Sequence, residues 1–365
     1  MQNQTFGFIG LGLIGGSVAK ALKKYHPDCK ILACDKNEDA LLLAKEEGIC
    51  DFTCKEIDDS FYQCDYIFLC TPVSFNNEYL TTVKKYKNPD CIITDVGSVK
   101  GPIHETIRNL SLEHCFIGGH PMAGSEHSGY SFSNAGLLEN AYYILTPEKK
   151  VPQNKVSAFI SLVSSFNAIP LVLDEQYHDY VTAAVSHLPH MLAFSLVNLI
   201  KDSDNPDGVM KMIAAGGFKD ITRIASSSPV MWQQICSENK QPLLTMMDDY
   251  IKALSLLRQK IAEEDTDFLY HYFDSAKDYR DSFNSVINGP IGRSYHVSLY
   301  VPDEAGAIAE ISGLFAKENI SIKNIGILHS REYEEGALRI EFYDEFSLNN
   351  ARKLLKEKQY HIYTK

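Results

Sequence analysis

Phe6-Gly7-Phe8-Ile9, a short apolar run of strand character, leads into Gly10-Leu11-Gly12-Leu13-Ile14-Gly15, and a helical pattern starts directly behind it. Val18, Ala19 and Leu22 form the apolar side of that helix, and Lys20, Lys23 and Lys24 the polar side. Lys30-Ile31-Leu32-Ala33-Cys34 then reads as a second strand ending at Asp35, 20 residues after Gly15. Strand, glycine turn, helix, strand and acid in this order constrain the chain to a dinucleotide-binding α/β unit. The first glycine makes the tight turn, the second admits a pyrophosphate, and the third lets the helix pack on the strand. Leu13 and Ile14 lie between the last two glycines, where the helix N-terminus faces the phosphate charge. A carboxylate at Asp35 suits the adenosine ribose hydroxyls and repels a 2′-phosphate, which favours NAD over NADP, although Lys36 beside it weighs the other way.

Two further strand-like runs follow. Tyr66-Ile67-Phe68-Leu69-Cys70 ends in Thr71-Pro72, and Cys91-Ile92-Ile93-Thr94-Asp95 ends in Val96-Gly97-Ser98. Alternating strands and helices predict a Rossmann-type, doubly wound parallel sheet with its ligands outside the carboxyl ends of the strands. Thr71, Pro72 and Gly97 are expected to border the cofactor, with Ser98 and His120 in the same crevice. His120 stands in Gly119-His120-Pro121-Met122-Ala123-Gly124, a segment without a strong helical or strand pattern. Glycines permit close approach, Pro121 fixes the local turn, and an imidazole suits proton transfer near neutral pH. The alternative for a lone histidine is a buried structural role. Ser98 has two readings: it caps a helix containing Ile103, Ile107 and Leu110, or its hydroxyl orients a histidine or a substrate hydroxyl.

Beyond a last strand at Ile169-Pro170-Leu171-Val172-Leu173 the pattern is helical almost to residue 290. His187 and His190 share a helix face, and Pro189 between them predicts a kink. Lys219 and Arg223 lie one turn apart behind Gly216-Gly217, and Asp220 is placed to pair with Arg223. The apolar Ile221, Ile224 and Ala225 suggest partial burial of that turn, where a guanidinium would take a ligand carboxylate; a solvated charged face is the alternative. Ser228-Pro229 opens a helix with Trp232, the single tryptophan, in its first turn. Long apolar stripes then run from Leu244 to Ile261 and from Leu269 to Phe283. They point to a helical dimer interface, with intrachain packing as the alternative. Asn288-Gly289-Pro290-Ile291-Gly292 is a linker, and the tail alternates as βαββαβ, a ferredoxin-like order. The expected domains are therefore 1–173, dinucleotide-binding; 174–289, helical, for substrate and dimerisation; and 294–365, ferredoxin-like.

A net charge of −12 argues against a nucleic-acid or anionic-membrane partner. Nine cysteines, eight of them before residue 116, fit reduced thiols of a cytoplasmic protein. Cys50 and Cys54 lack companion ligands, so no metal is expected. The N-terminus has no signal-peptide pattern, and no run was found that approaches the roughly 20 apolar residues of a membrane span.

Gly10–Gly15, Asp95-Val96-Gly97-Ser98-Val99-Lys100, Gly119-His120-Pro121-Met122-Ala123-Gly124-Ser125-Glu126, His187-Leu188-Pro189-His190 and Lys219-Asp220-Ile221-Thr222-Arg223 together resemble the prephenate dehydrogenases of tyrosine biosynthesis, over essentially residues 5–285. Residues 295–365 resemble an ACT domain through Pro302-Asp303 with Gly306, and Asn319-Ile320 with Ile322, Asn324 and Ile325. The resemblance implies NAD-dependent oxidative decarboxylation of prephenate to 4-hydroxyphenylpyruvate. By position, His120 would take the proton of the C4 hydroxyl and Ser98 would orient it. Arg223 would bind a substrate carboxylate, with His190 beside it and Glu126 gating or pairing with Arg223. Lys219, Asp220, Ser125, His187 and Trp232 would complete the pocket. The tail would bind an amino acid, most simply tyrosine as an inhibitor, with Gly306 at its carboxylate and Asp303 or Asn324 at its ammonium. Rival readings are an arogenate dehydrogenase or a dual-specificity cyclohexadienyl dehydrogenase, a β-hydroxyacid dehydrogenase, and a non-catalytic amino-acid sensor.

Overall fold

The computed structural model describes residues 4–124, 127–286, 295–302, 304–328 and 337–363. Two compact units divide the chain, Met1–Leu254 and Ser255–Lys365.

The first unit begins with β1 (Thr5–Ile9), α1 (Leu13–Tyr25), β2 (Lys30–Cys34), α2 (Glu38–Glu46), β3 (Phe52–Cys54), β4 (Tyr66–Leu69) and α3 (Val73–Tyr86). It continues with β5 (Ile92–Asp95), α4 (Gly101–Asn109), β6 (Phe116–Pro121), β7 (Tyr142–Pro147), α5 (Gln153–Ser164) and β8 (Ile169–Val172). These strands form one sheet in the order β3-β2-β1-β4-β5-β6-β7-β8. Every residue of β1, β4 and β5 is buried, as expected for strands covered on both faces. Phe8 stacks on Phe68 with ring centroids 5.0 Å apart, at the centre of the apolar core.

Two expectations need correction here. The sheet is parallel only from β3 through β6, because β7 runs antiparallel to β6 and carries β8 with it. The described part of the link between β6 and β7 contains two 3₁₀ turns but no α-helix, and a parallel return needs a crossover. The segment holding His120 is also not irregular: Gly119 and His120 pair with Leu145 and Ile144 of β7, one position before the ladder ends at Pro121 and Tyr143.

The helical part opens with α6 (Glu175–Thr182), capped by Asp174, whose side chain accepts from the amides of Gln176 and Tyr177. A π-helical turn at Ala183–His187 connects it to α7 (Leu188–Ser203), with the Leu188 amide reaching back to the Ala183 carbonyl. The kink expected at Pro189 therefore takes the form of a π-turn immediately before it, where proline is tolerated at a helix start. Contrary to expectation, Glu175–Ser203 is long and apolar enough by length and composition to cross a membrane. It also buries His178, Asp179 and His187. Next come α8 (Val209–Ile213), α9 (Gly216–Thr222), α10 (Pro229–Glu238) and α11 (Lys240–Ala262). The division between the two units falls within α11. Leu244, Ile251 and Leu254 on α11 are 42%, 55% and 51% exposed, so this apolar stripe is largely uncovered among the described residues.

The second unit contains α12 (Thr266–Val286), β9 (Tyr295–Tyr300), α13 (Ala307–Lys317), β10 (Ile322–Leu328), β11 (Ala337–Phe342), α14 (Glu345–Glu357) and β12 (Ile362–Tyr363). Its antiparallel sheet has the order β10-β11-β9-β12 over a core that includes Leu299, Ile311, Phe315 and Ile340. This is the expected βαββαβ order.

Candidate functional site

The glycine loop has the geometry its spacing demands. Gly10 has φ +91°, and a Cβ there would lie 2.8 Å from the backbone of Cys70; one on Gly15 would lie 2.6 Å from the Gly10 carbonyl oxygen. At Gly12 nothing stands within 4 Å, so the space a phosphate would need is open. Gly12 is also the N-cap of α1 and supplies no side-chain cap, and with Leu13 and Ile14 in the first turn the helix presents bare amides. Beside the loop is a cavity of about 370 Å³ bordered by Gly10, Gly12, Asp35, Thr71, Pro72 and Phe75. Asp35 Oδ2 accepts from the Leu11 amide at 2.5 Å and Oδ1 from the Asn37 amide at 2.7 Å, which fixes the carboxylate at the cavity wall. Lys36 and Lys55 border the same cavity, and Lys55 is paired with Glu38. These residues fit a dinucleotide.

At the neighbouring strand ends, Gly97 donates its amide to Asp95 Oδ2 at 2.9 Å. Ser98, half-buried, does not cap α4. That helix takes Asp179 as its cap instead, whose two carboxylate oxygens accept from the Lys100 and Gly101 amides at 2.8 Å each. The Ser98 hydroxyl has no protein partner among the described residues and stays available.

His120 is the first member of a row of three. Its Nδ1 lies 2.8 Å from Nε2 of His178, and Nδ1 of His178 lies 2.8 Å from Asp179 Oδ1. The carboxylate, held by two helix amides, accepts the His178 Nδ1 proton. That makes His178 Nε2 an acceptor, so His120 must carry its proton on Nδ1 and keep a lone pair on Nε2. Burial pushes the His120 pKa well below the ordinary histidine value, and the charges of His178, Lys100 and His187 add to that effect. The imidazole is consequently an unprotonated base at neutral pH. The sequence reading missed His178 and Asp179. Their signal is a helix face on which His178, Asp179 and Thr182 are buried where apolar residues are the rule.

A second group forms around Trp232, which is 6% exposed. His190 stacks on its indole with centroids 4.0 Å apart, and His187 meets it edge-on at 5.8 Å. Nδ1 of His190 and Nε1 of Trp232 are both buried without a partner among the described residues, at a cost of about 1–3 kcal/mol each that a ligand would remove. His187 is not on the pocket surface: it is 1% exposed, accepts from Asn239 Nδ2 at 3.0 Å, and burial lowers its pKa to about 4. Asn239 also donates to the Asp179 carbonyl at 2.9 Å, so it links the two groups and is a further residue the sequence reading missed.

Lys219, Asp220 and Arg223 lie on α9 and the turn after it, and all three are exposed rather than partly buried as expected. The expected Asp220–Arg223 pair does not form. Arg223 is near enough to His190 that its charge, after burial, lowers that histidine's pKa. Gly306, at φ +98°, is the N-cap of α13, and Asn324 lies on the edge strand β10. Ser125, Glu126 and Asp303 lie outside the described residues.

A family model for the nucleotide-binding domain of prephenate dehydrogenase matches residues 18–170, and one for the prephenate dehydrogenase dimerization domain matches 174–275. Prephenate dehydrogenase of Bacillus subtilis is 37% identical over 360 residues, 97% of this chain and 96% of that one. The Lactococcus lactis enzyme of the same name is 35% identical, covering 96% of each. Prephenate dehydrogenase from A. aeolicus, solved with hydroxyphenyl propionate and NAD+, matches with a TM-score of 0.73 at 33% identity, covering 78% of this chain and 99% of that one. Synechocystis arogenate dehydrogenase matches at 0.70 and 26%, covering 77% and 100%.

Proposed function

The chain belongs to the prephenate dehydrogenase family, and on that premise we propose how its own residues carry the reaction. It is an NAD-dependent oxidoreductase that converts prephenate to 4-hydroxyphenylpyruvate. Bound NAD supplies the hydride acceptor; Gly10, Gly12, Leu13, Ile14 and Gly15 would hold its pyrophosphate and Asp35 its ribose, with Thr71, Pro72 and Gly97 bordering it.

His120 Nε2 takes the proton of the C4 hydroxyl as that carbon becomes a carbonyl. The observation that carries this role is the row His120–His178–Asp179, which leaves the lone pair on the free nitrogen. Ser98 orients the hydroxyl. Arg223 receives a substrate carboxylate, and the unpartnered nitrogens of His190 and Trp232 stand ready as further polar contacts. Lys219 and Asp220 belong at the mouth, Ser125 and Glu126 are assigned to substrate binding by family resemblance alone, and His187 packs edge-on against Trp232. Loss of CO2 aromatises the ring, so the protein's task is mainly orientation and removal of one proton.

The exposed apolar stripe on α11 supports a homodimer built through the helical part, in line with the description of the matched family model. The domains we assign are 1–173, 174–289 and 294–365, the last an ACT domain that binds tyrosine and inhibits the enzyme, in the cytoplasm. Its βαββαβ order and the bare N-terminus of α13 at Gly306 support that reading. NADH production from prephenate and from arogenate, each with and without tyrosine, tests the whole assignment. A strong preference for arogenate, the substrate named for the Synechocystis neighbour, would overturn the choice of substrate.

A further inference from the structure

Lys100 has no exposed surface, yet it lies outside the proton-taking row and touches it from two sides. Its ammonium pairs with Asp95 and donates to the Gly119 carbonyl at 2.8 Å. Asp95 accepts from the Gly119 amide at 3.1 Å. One buried ion pair thus grips both peptide groups of the residue directly before His120. The Lys100 backbone amide meanwhile donates to Asp179, the carboxylate at the far end of the row. Side-chain packing cannot do this work at Gly119, where a Cβ would stand 2.6 Å from the Asp95 carbonyl oxygen.

Stability is a poor reason to keep such a pair, since well-packed apolar residues of the same volume are often as stabilising or more so. Its position explains it better. The titratable groups acting on His120 are His178, Lys100 and His187, with Asp179 behind His178 and Asp95 behind Lys100. Burial lowers the pKa of Lys100 itself, but the paired Asp95 carboxylate works to keep it a cation, and that charge opposes protonation of His120.

We propose that Lys100 is a positioning residue of the dehydrogenase reaction: it fixes His120 through Gly119 and Asp179. The proposal rests on His120 as the base, which His120→Asn tests separately. Three variants test Lys100 itself: Lys100→Met, Lys100→Arg, and the double change Lys100→Met with Asp95→Asn, which leaves no orphaned carboxylate. Each is read by NADH fluorescence titration, by KM and kcat for prephenate, and by the pH profile of kcat/KM. The double variant is expected to bind NADH within about twofold of wild type while losing on the order of 100-fold in kcat, the scale of a small misplacement of a reacting group. Lys100→Met should move the acid limb of kcat/KM to higher pH, and Lys100→Arg should restore that limb and part of kcat. A double variant with wild-type kcat, or an unmoved acid limb in Lys100→Met, overturns the proposal. So does a loss of kcat that merely follows a loss of NADH binding in all three.

Discussion

Replacing His178 with phenylalanine keeps a ring of similar size in a fully buried position and removes both nitrogens of the middle link. Two hydrogen bonds go, each 2.8 Å long. The one to the Asp179 carboxylate belongs to the class worth about 1.5–3 kcal/mol, and the one between imidazoles to the class worth about 0.5–1.5 kcal/mol. Asp179 keeps both helix amides and remains satisfied, so the α4 cap survives. What is lost falls on His120, which no longer has an acceptor to hold its Nδ1 proton or its ring plane. A barrier increase of about 2–3 kcal/mol follows, a fall in kcat of roughly 30- to 150-fold. The KM for prephenate should change little, since the proposed carboxylate contact at Arg223 is untouched. The pH profile supplies a second reading. A base works unprotonated, so activity declines as pH falls through its pKa. His178 is one cause of the low His120 pKa, so its removal raises that pKa and shifts the acid limb of kcat/KM upward, although burial, the larger cause, remains. Stopped-flow and steady-state NADH formation across pH 4–9 would measure both. Wild-type kcat with an unmoved acid limb would refute the relay.

His120→Asn should abolish almost all turnover while NADH binding persists; near-normal turnover in a folded variant would refute the histidine mechanism. Arg223→Ala should raise the KM for prephenate far more than that for NAD and cost at least ~2 kcal/mol in kcat/KM, and an unchanged KM would make Arg223 structural. Removal of residues 293–365 should abolish tyrosine inhibition. Full tyrosine sensitivity in the shortened enzyme would place the inhibitor at the active site.

The cofactor end was legible because each glycine answers to one local geometric demand. The positive φ of Gly10, the open space at Gly12 and the close approach at Gly15 are all implied by spacing alone. His120 and Ser98 were legible as strand-end residues because a parallel sheet directs its carboxyl ends to one side. The reversal of β7 was not, since a missing crossover helix leaves no positive signal in a run of polar and glycine residues. Nor was His178, which sits in a helix whose residues alternate in character much as a solvated face would. Its role arises only when α6 packs over β6, 58 residues away in the chain. Lys100 stood in plain view within a motif, but a lysine's complete burial is a tertiary fact. Arg223 was expected to be partly covered, and in this chain its turn faces outward.

The π-turn at Ala183–His187 sets the phase of the whole segment. Each residue advances an α-helix by about 100°, and the wide turn absorbs one residue that a regular helix would have to count. His178 before it and His190 after it therefore address different partners, His120 on the sheet and Trp232 on α10. Winding the same number of residues as a uniform α-helix would swing α7 by about 100° around its axis. The stacked imidazole would leave the indole while the upstream relay stayed in place. The winding of one turn thus sets the proposed base and the proposed substrate contacts relative to each other, with no functional side chain altered.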